Sequence, residues 1–265
     1  QIAAKLDNAR MIVLCGVHFM GETAKVLCPD KKVLIPDINA GCSLADSCPA
    51  DKFAEFVAAH PDYTVISYVN TSIGVKALTD VLVTSGNARK IVDTFPADAK
   101  LIFGPDRNLG NYINSVTGRN MLLWDGACHV HEEFSVEKIA ELKKQHPQAK
   151  VLVHPECKRP LQLTADVIGS TAVLLKYAVE SDDTEFIVAT ESGILHQMQK
   201  SCPDKTFIPA PPNDSTCGCN DCRYMKLNTM EKLYNCLKFE QPEIIVDPEL
   251  AEKARRPIER MLELS

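Results

Sequence analysis

The chain of 265 residues has no apolar run near the roughly 20 residues that cross a bilayer. Positive charge is not in excess either: 29 Lys and Arg face 35 Asp and Glu, a net charge of -6. The first absence argues against a membrane-spanning helix. The second argues against a nucleic-acid or anionic-membrane partner, while leaving room for a local basic pocket. The opening residues, QIAAKLDNAR, lack the charged-then-apolar pattern of a signal peptide. They read as the middle of a helix, so the expectation is a chain that begins inside an element. Cysteine is not scarce, but its count of 11 is odd, and the thiols cannot all pair within one chain. Without a secretory signal the expected compartment is the reducing cytoplasm, where cysteines are core fillers, metal ligands or catalytic thiols.

What is present is the balance of a globular protein, 45 % hydrophobic and 24 % charged, together with a regular alternation. MIVLCGV, KVLIPD, TVISYVN, DVLVTS, KLIFGPD, MLLWDGA, KVLVHPE, DVIGS, EFIVATE and TFIPAP are short, continuous apolar runs. Such runs suit parallel strands covered on both faces. Between them, ADKFAEFVAAH, NARKIVDTF and SVEKIAELKKQH carry apolar residues at helical spacing. The alternation predicts an α/β protein with parallel sheets.

The order also repeats. Residues 9–42, 99–128 and 184–217 each run strand, turn, helix, strand, cysteine, and the first and third copies share Cys-Pro-Asp-Lys at 28–31 and 202–205. A second half-repeat alternates with the first: residues 63–92 match residues 149–178, each leading through a hydroxyl residue into a helix. Three copies of one half and two of the other predict three similar α/β/α domains in a pseudo-threefold array, with the remaining copy expected before Gln1. The domains divide as 1–46 with 223–265, then 47–132, then 133–222.

In parallel α/β units, ligands bind beyond the carboxyl ends of the strands. Each first-half copy places a cysteine just past such an end: Cys42, Cys128, and one of Cys217, Cys219 or Cys222. Around a pseudo-threefold axis one thiolate from each domain converges, and three thiolates suit a soft metal or an iron–sulfur cluster. A cubane held by three thiolates keeps one iron open as a Lewis acid. Cys15, Cys28, Cys202 and Cys236 read as core residues, and Cys48 as structural. Cys157 ends a strand and could reach the site, but it lies in the half-repeat whose copies do not carry the cysteine. The run STCGCNDC lacks a fourth nearby ligand for a local zinc site, although Cys217 or Cys219 could form a labile disulfide.

AGCSLADSC, YVNTS, VTSGNA, LLWDGACHVHEEF, VHPEC, IGSTA and CRYMKLNT occur in this order along nearly the whole chain. In these segments the sequence resembles the quinolinate synthases, iron–sulfur enzymes of de novo NAD biosynthesis. The resemblance implies a triangular arrangement of three α/β/α domains and a 4Fe-4S cluster on Cys42, Cys128 and Cys222. It also implies condensation of iminoaspartate with dihydroxyacetone phosphate to quinolinate, with loss of phosphate and water. The enzyme that supplies iminoaspartate is an expected partner; nucleic acid and membrane are not. The family carries further substrate-binding residues before the position of Gln1.

Dehydration needs proton donors and acceptors within reach of substrate. His131, and His154 with Glu156 on one side of an extended segment, lie at strand ends. The resemblance assigns His131 and His154 to substrate binding, Glu156 to proton transfer, and Tyr68 with Asn70 to substrate contact; His131 and Tyr68 also handle protons. Ser85 and the pair Ser170 and Thr171 read as helix starts, where backbone N–H groups favour the anionic groups of both substrates. Two rivals remain at this stage: another iron–sulfur hydro-lyase acting on a small hydroxy acid, and a redox or metal-sensing protein built on CGCNDC.

Overall fold

A computed structural model describes residues 5–6, 8–214 and 221–265. The expectations placed on Cys217 and Cys219 fall outside the described residues. Among the described residues each of the ten apolar runs forms a strand: β1 (Met11–Val13), β2 (Lys32–Leu34), β3 (Thr64–Tyr68), β4 (Val81–Val83), β5 (Leu101–Gly104), β6 (Leu122–Leu123), β7 (Lys150–Val153), β8 (Val167–Ile168), β9 (Glu185–Ala189) and β10 (Thr206–Pro209). They make three parallel sheets, ordered β1-β2, β4-β3-β5-β6 and β8-β7-β9-β10. The protein is α/β, as the alternation predicts.

The chain divides into two compact units. One comprises Gln1–Pro105, Asn120–Gly126 and Arg223–Ser265, and holds the two-stranded sheet and β4-β3-β5-β6. The other comprises Asp106–Arg119 and Ala127–Cys222, and holds β8-β7-β9-β10.

The repeats seen in the sequence are repeated in local bonding. At matching places of the two half-repeats, Asp80 Oδ2 accepts from Val65 N at 2.8 Å and Asp166 Oδ2 accepts from Val151 N at 2.7 Å. Both Cys-Pro-Asp-Lys segments end a helix in the same way. Cys28 N donates to Ala24 O and Cys202 N to Met198 O, both at 2.9 Å. The following proline disfavours helical conformation in the cysteine, which stops the helix there.

Strands buried on both faces supply the core. Val81, Leu82 and Val83 are all fully buried, as are Ile102 and Phe103. In the first unit Cys48, Phe53, Val65, Val75 and Ile102 form one apolar cluster. A Cβ at Gly104 would lie 2.8 Å from Phe53 Cε2 and 3.0 Å from Trp124 Cβ, so the strand needs glycine for Phe53 to pack against it. In the second unit Val130, Phe134, Val151, Val153, Cys157 and Ile187 are part of another cluster. The amphipathic helix Pro248–Leu264 starts on an Asp247 cap, whose Oδ1 accepts from Glu249 N and Leu250 N at 3.0 Å. It packs on β4 and helix Ile73–Lys76 as well as on helix His18–Leu27.

Two sequence expectations change. Cys28, Cys202 and Cys236 are buried, but Cys15 is exposed; it lies past the last paired residue of β1, where strand alternation no longer directs it inward. Ser85 does not cap a helix. The backbone N–H groups of Asn87 and Ala88 both fold back onto Thr84 O. Helix Ala88–Val92 therefore begins after an Asn87 cap, and Ser85 stays in the preceding turn.

Candidate active site

Within the second unit, a thiol, an imidazole and a carboxylate meet. Cys128 Sγ, a ring nitrogen of His131 and a carboxylate oxygen of Glu156 all lie within 4.8 Å of one another. Two segments bring them there. Cys128 is the cap residue of the short helix His129–Glu132, which carries His131 one turn on. β7 runs straight into His154, Pro155 and Glu156, so both functional side chains leave the carboxyl end of a central strand. His131 and His154 stack, with ring centroids 4.7 Å apart and planes at 25°.

Backbone anchors fix this arrangement. Asp106 is fully buried. Its Oδ1 caps helix Arg107–Thr117 by accepting from Asn108 N at 2.7 Å and Leu109 N at 3.0 Å, and its Oδ2 accepts from Cys128 N at 2.9 Å. One carboxyl thus ties a helix start to the thiol-bearing residue. Asn108 Nδ2 donates to Glu156 O at 3.0 Å and to Glu132 Oε1 at 2.6 Å, and Glu132 also pairs with Arg107 at 3.0 Å. His131 Nε2 lies 3.1 Å from Thr190 Oγ1.

The two imidazoles are driven apart in basicity. Burial alone would push both down. For His131 the Glu156 carboxylate, 3.1 Å from Nδ1, and the Cys128 sulfur outweigh burial and hold it well above the ordinary histidine range. For His154 burial dominates, and the neighbouring His131 adds to it against the pull of Glu156, giving about 4. The backbone N–H of Glu156 donates to His154 Nδ1 at 3.3 Å, so the neutral ring carries its proton on Nε2. The surroundings push the two rings in opposite directions, the separation that lets acid and base work coexist.

The remaining thiols sort by burial. Cys222 is half-buried, donates its N–H to Glu191 Oε1 at 3.2 Å, and packs on the same apolar cluster as Cys128. Cys157 is fully buried within that cluster, and burial pushes its thiol up to about 12. Cys48 behaves alike, also raised to about 12 by burial. In the first unit Cys42, half-buried, caps helix Ser43–Asp46 and lines a cavity of about 330 Å³ with His18, Phe19, Glu22, Ser72 and Tyr224. Burial raises Glu22, and Lys76 and His18 offset part of the rise. Burial lowers Lys76 to about 8.

The other sequence-expected residues divide between the units. Tyr68 is buried at the end of β3, Asn70 is half-buried in the turn beyond it, and Ser85 is half-buried in its own turn. In the second unit Ser170 caps helix Thr171–Glu180, accepting from Val173 N at 3.4 Å, and Thr171 is exposed at its first position. The second unit thus gathers Cys128, His131, His154 and Glu156; Cys42, Tyr68, Asn70 and Ser85 belong to the first. Sequence reasoning missed Asp106, Asn108, Glu22 and Lys76. Only Asp106 had a local signal, an Asp directly before the helical run RNLGNYI.

Replacing Asp106 with alanine removes a helix cap and leaves buried backbone N–H groups, Cys128 N among them, without an acceptor. Urea unfolding of the metal-free chain is expected to show a loss of about 2–4 kcal/mol. Burial, then Glu156, raises Asp106 to about 7. A carboxyl raised on folding contributes stability that is full below its unfolded value and lost as pH rises through about 7. The deficit of the variant should therefore be larger at pH 5 than at pH 8; equal unfolding midpoints for both proteins would refute the assignment.

Parallel sheets, a buried acid–base set, and a thiol, an imidazole and a carboxylate close enough together to hold a metal are features of a metal-dependent α/β enzyme. Comparison with known proteins identifies its family. The family model described as Quinolinate synthetase A protein matches residues 1–263. The chain is 55 % identical over 262 residues to the quinolinate synthase of a Synechococcus species, covering 99 % of this chain and 82 % of that one. It is 57 % identical to the quinolinate synthase of Thermosynechococcus vestitus, with the same coverage. To that of Chloroherpeton thalassium it is 55 % identical, covering 99 % and 81 %. The chain belongs to the quinolinate synthase family of enzymes. No helix among the described residues is long and apolar enough to cross a membrane.

Proposed function

We propose that the protein condenses iminoaspartate with dihydroxyacetone phosphate to quinolinate, releasing phosphate and water, with a 4Fe-4S cluster on Cys42, Cys128 and Cys222. The observation that carries the reading is the convergence of Cys128, His131 and Glu156 beside His154. The donor chemistry fits such a group: the three thiols are half-buried and free of disulfides, whereas Cys48 and Cys157 are sealed in the core. Bound there, the cluster supplies an iron without a protein ligand, a Lewis acid toward an oxygen substituent.

The chain's own residues do the rest. Glu156 takes and returns protons; the positive His131 faces the anionic substrates and holds the Glu156 carboxylate. His154 offers its Nε2–H as a neutral donor. Tyr68 supplies a second proton donor, and Asn70, Ser85, Ser170 and Thr171 bind carboxylate and phosphate oxygens. The chain works as three α/β/α domains, residues 1–46 with 223–265, 47–132 and 133–222, a division supported by the matching order of the two four-stranded sheets. The setting is the cytoplasm, with the enzyme that supplies iminoaspartate as a partner.

The test uses anaerobically purified protein. Given both substrates it should yield quinolinate and phosphate in equal amounts, and iron and sulfide analysis should return four of each per chain. A hydro-lyase acting on a hydroxy acid would turn over without dihydroxyacetone phosphate. Product formation independent of that substrate would defeat the proposal.

A further inference from the structure

We propose that Lys76 and Gln162 are matching positioning residues, each holding the turn that carries the substrate-facing pair of its own repeat: Tyr68 with Asn70, and His154 with Glu156. The inference rests on the reading of those four side chains as substrate contacts.

In the two half-repeats, β3 and β7 each run into a turn and then into a four-residue helix, Ile73–Lys76 and Arg159–Gln162. Lys76 and Gln162 close those helices at the same place in the aligned segments YTVISYVNTSIGVK and AKVLVHPECKRPLQ. Both are buried, at 0 % and 4 % exposure. An apolar chain of similar length would fill either place without burying a polar head, so packing alone does not account for them.

Their polar heads do the same thing. Lys76 Nζ donates to Thr71 O. Gln162 Nε2 donates to Cys157 O at 2.7 Å and to Pro155 O at 2.9 Å. Thr71 and Cys157 are equivalent positions of the two copies, so one contact is made twice with different chemistry. Further bonds tighten each turn. Thr71 Oγ1 donates to Tyr68 O and Thr71 N to Val69 O, both at 2.9 Å; Cys157 N donates to His154 O at 3.0 Å. With Asn108 Nδ2 on Glu156 O at 3.0 Å, the carbonyls of 155, 156 and 157 are all held by side-chain amides. Carbonyls that have left the sheet and stay buried need such donors. Loosening them frees the backbone under Glu156 or under Asn70.

Opposite Lys76, Glu22 Oε2 accepts from Ile73 N at 3.1 Å, and the Phe19 ring centroid lies 5.2 Å from Nζ. The ammonium is thereby fixed over the turn rather than free to reach solvent.

The test uses the intact chain with its metal centre loaded, and three variants: Lys76→Met, Gln162→Met and Lys76→Gln. The last keeps a donor, the one used in the other repeat. Two readouts are taken: steady-state kinetics, and amide hydrogen exchange at 69–72 and 156–158. Each Met variant is expected to exchange faster at its own turn only, and to lose about 10- to 100-fold in kcat with little change in KM. Lys76→Gln should recover most of both losses. Met variants with unchanged exchange and kcat would show mere space-filling and overturn the proposal. If a Met variant does not fold, Lys76→Gln decides. Folded with a protected turn it supports the proposal; folded and unprotected, or unfolded, it overturns it. Exchange needs no turnover, so a wild-type chain that makes no quinolinate would sink the catalytic reading and leave the turn-holding measurable.

Discussion

Cys128→Ala is expected to give a folded, colourless and inactive protein. Cys128 is half-buried, so loss of its sulfur removes little core area and should cost no more than about 1 kcal/mol of stability. Its backbone anchor to Asp106 Oδ2 survives, because the bond uses Cys128 N and not the thiol. What disappears is the sulfur that stands beside His131 and Glu156. Iron and sulfide content should fall toward zero, visible absorbance should vanish, and quinolinate formation should cease with them. The same experiment separates an enzyme from a metal sensor built on residues 217–222. A sensor would still titrate with metal after loss of Cys128 or Cys42. Full activity from a colourless Cys128→Ala protein would end the case for a thiolate-held cluster.

Glu156→Gln should strike the chemistry and spare the metal. The carboxylate touches both imidazoles, at 3.1 Å to His131 Nδ1 and 3.6 Å to His154 Nδ1. The amide keeps size and the backbone bonds of Glu156 N and O, but it cannot accept and return a proton. Loss of a positioned general base costs roughly 10²–10⁴-fold in kcat. A second consequence follows in the neighbour. Burial lowers His131, and Glu156 is the largest influence opposing it. With glutamine in place His131 should therefore titrate at lower pH than in the wild type, visible in the imidazole proton resonances. Cluster absorbance should persist. A variant with wild-type kcat and an unmoved His131 would remove Glu156 from the mechanism.

The strands were legible in the sequence because each is a short apolar run bounded by turn residues, the pattern of parallel strands covered on both faces. The core of the site was legible for a related reason. Residues two apart at a strand end share a side, which unites His154 with Glu156, and three residues along a short helix bring His131 back over Cys128. The supports were not. Asp106 reaches Cys128 across a whole helix and strand, and Asn108 reaches Glu156 from still farther along the chain; no local pattern encodes either bond. Lys76 reads as an ordinary surface cation in IGVKA, and only the packing of Phe19 and Glu22 around it shows otherwise. Ser85 misled for a narrower reason: two N–H groups turning back onto Thr84 O delay the helix past the hydroxyl.

The sorting of sulfurs by depth has an outcome for handling the protein. Cys42, Cys128 and Cys222 stand where oxygen and peroxide can reach them, whereas Cys48 and Cys157 are walled in as protonated thiols. Attack by oxidants follows access and thiolate character. With the proposed cluster bound, a sample left in air should accordingly bleach well before it melts, and its circular dichroism would look healthy long after activity had gone.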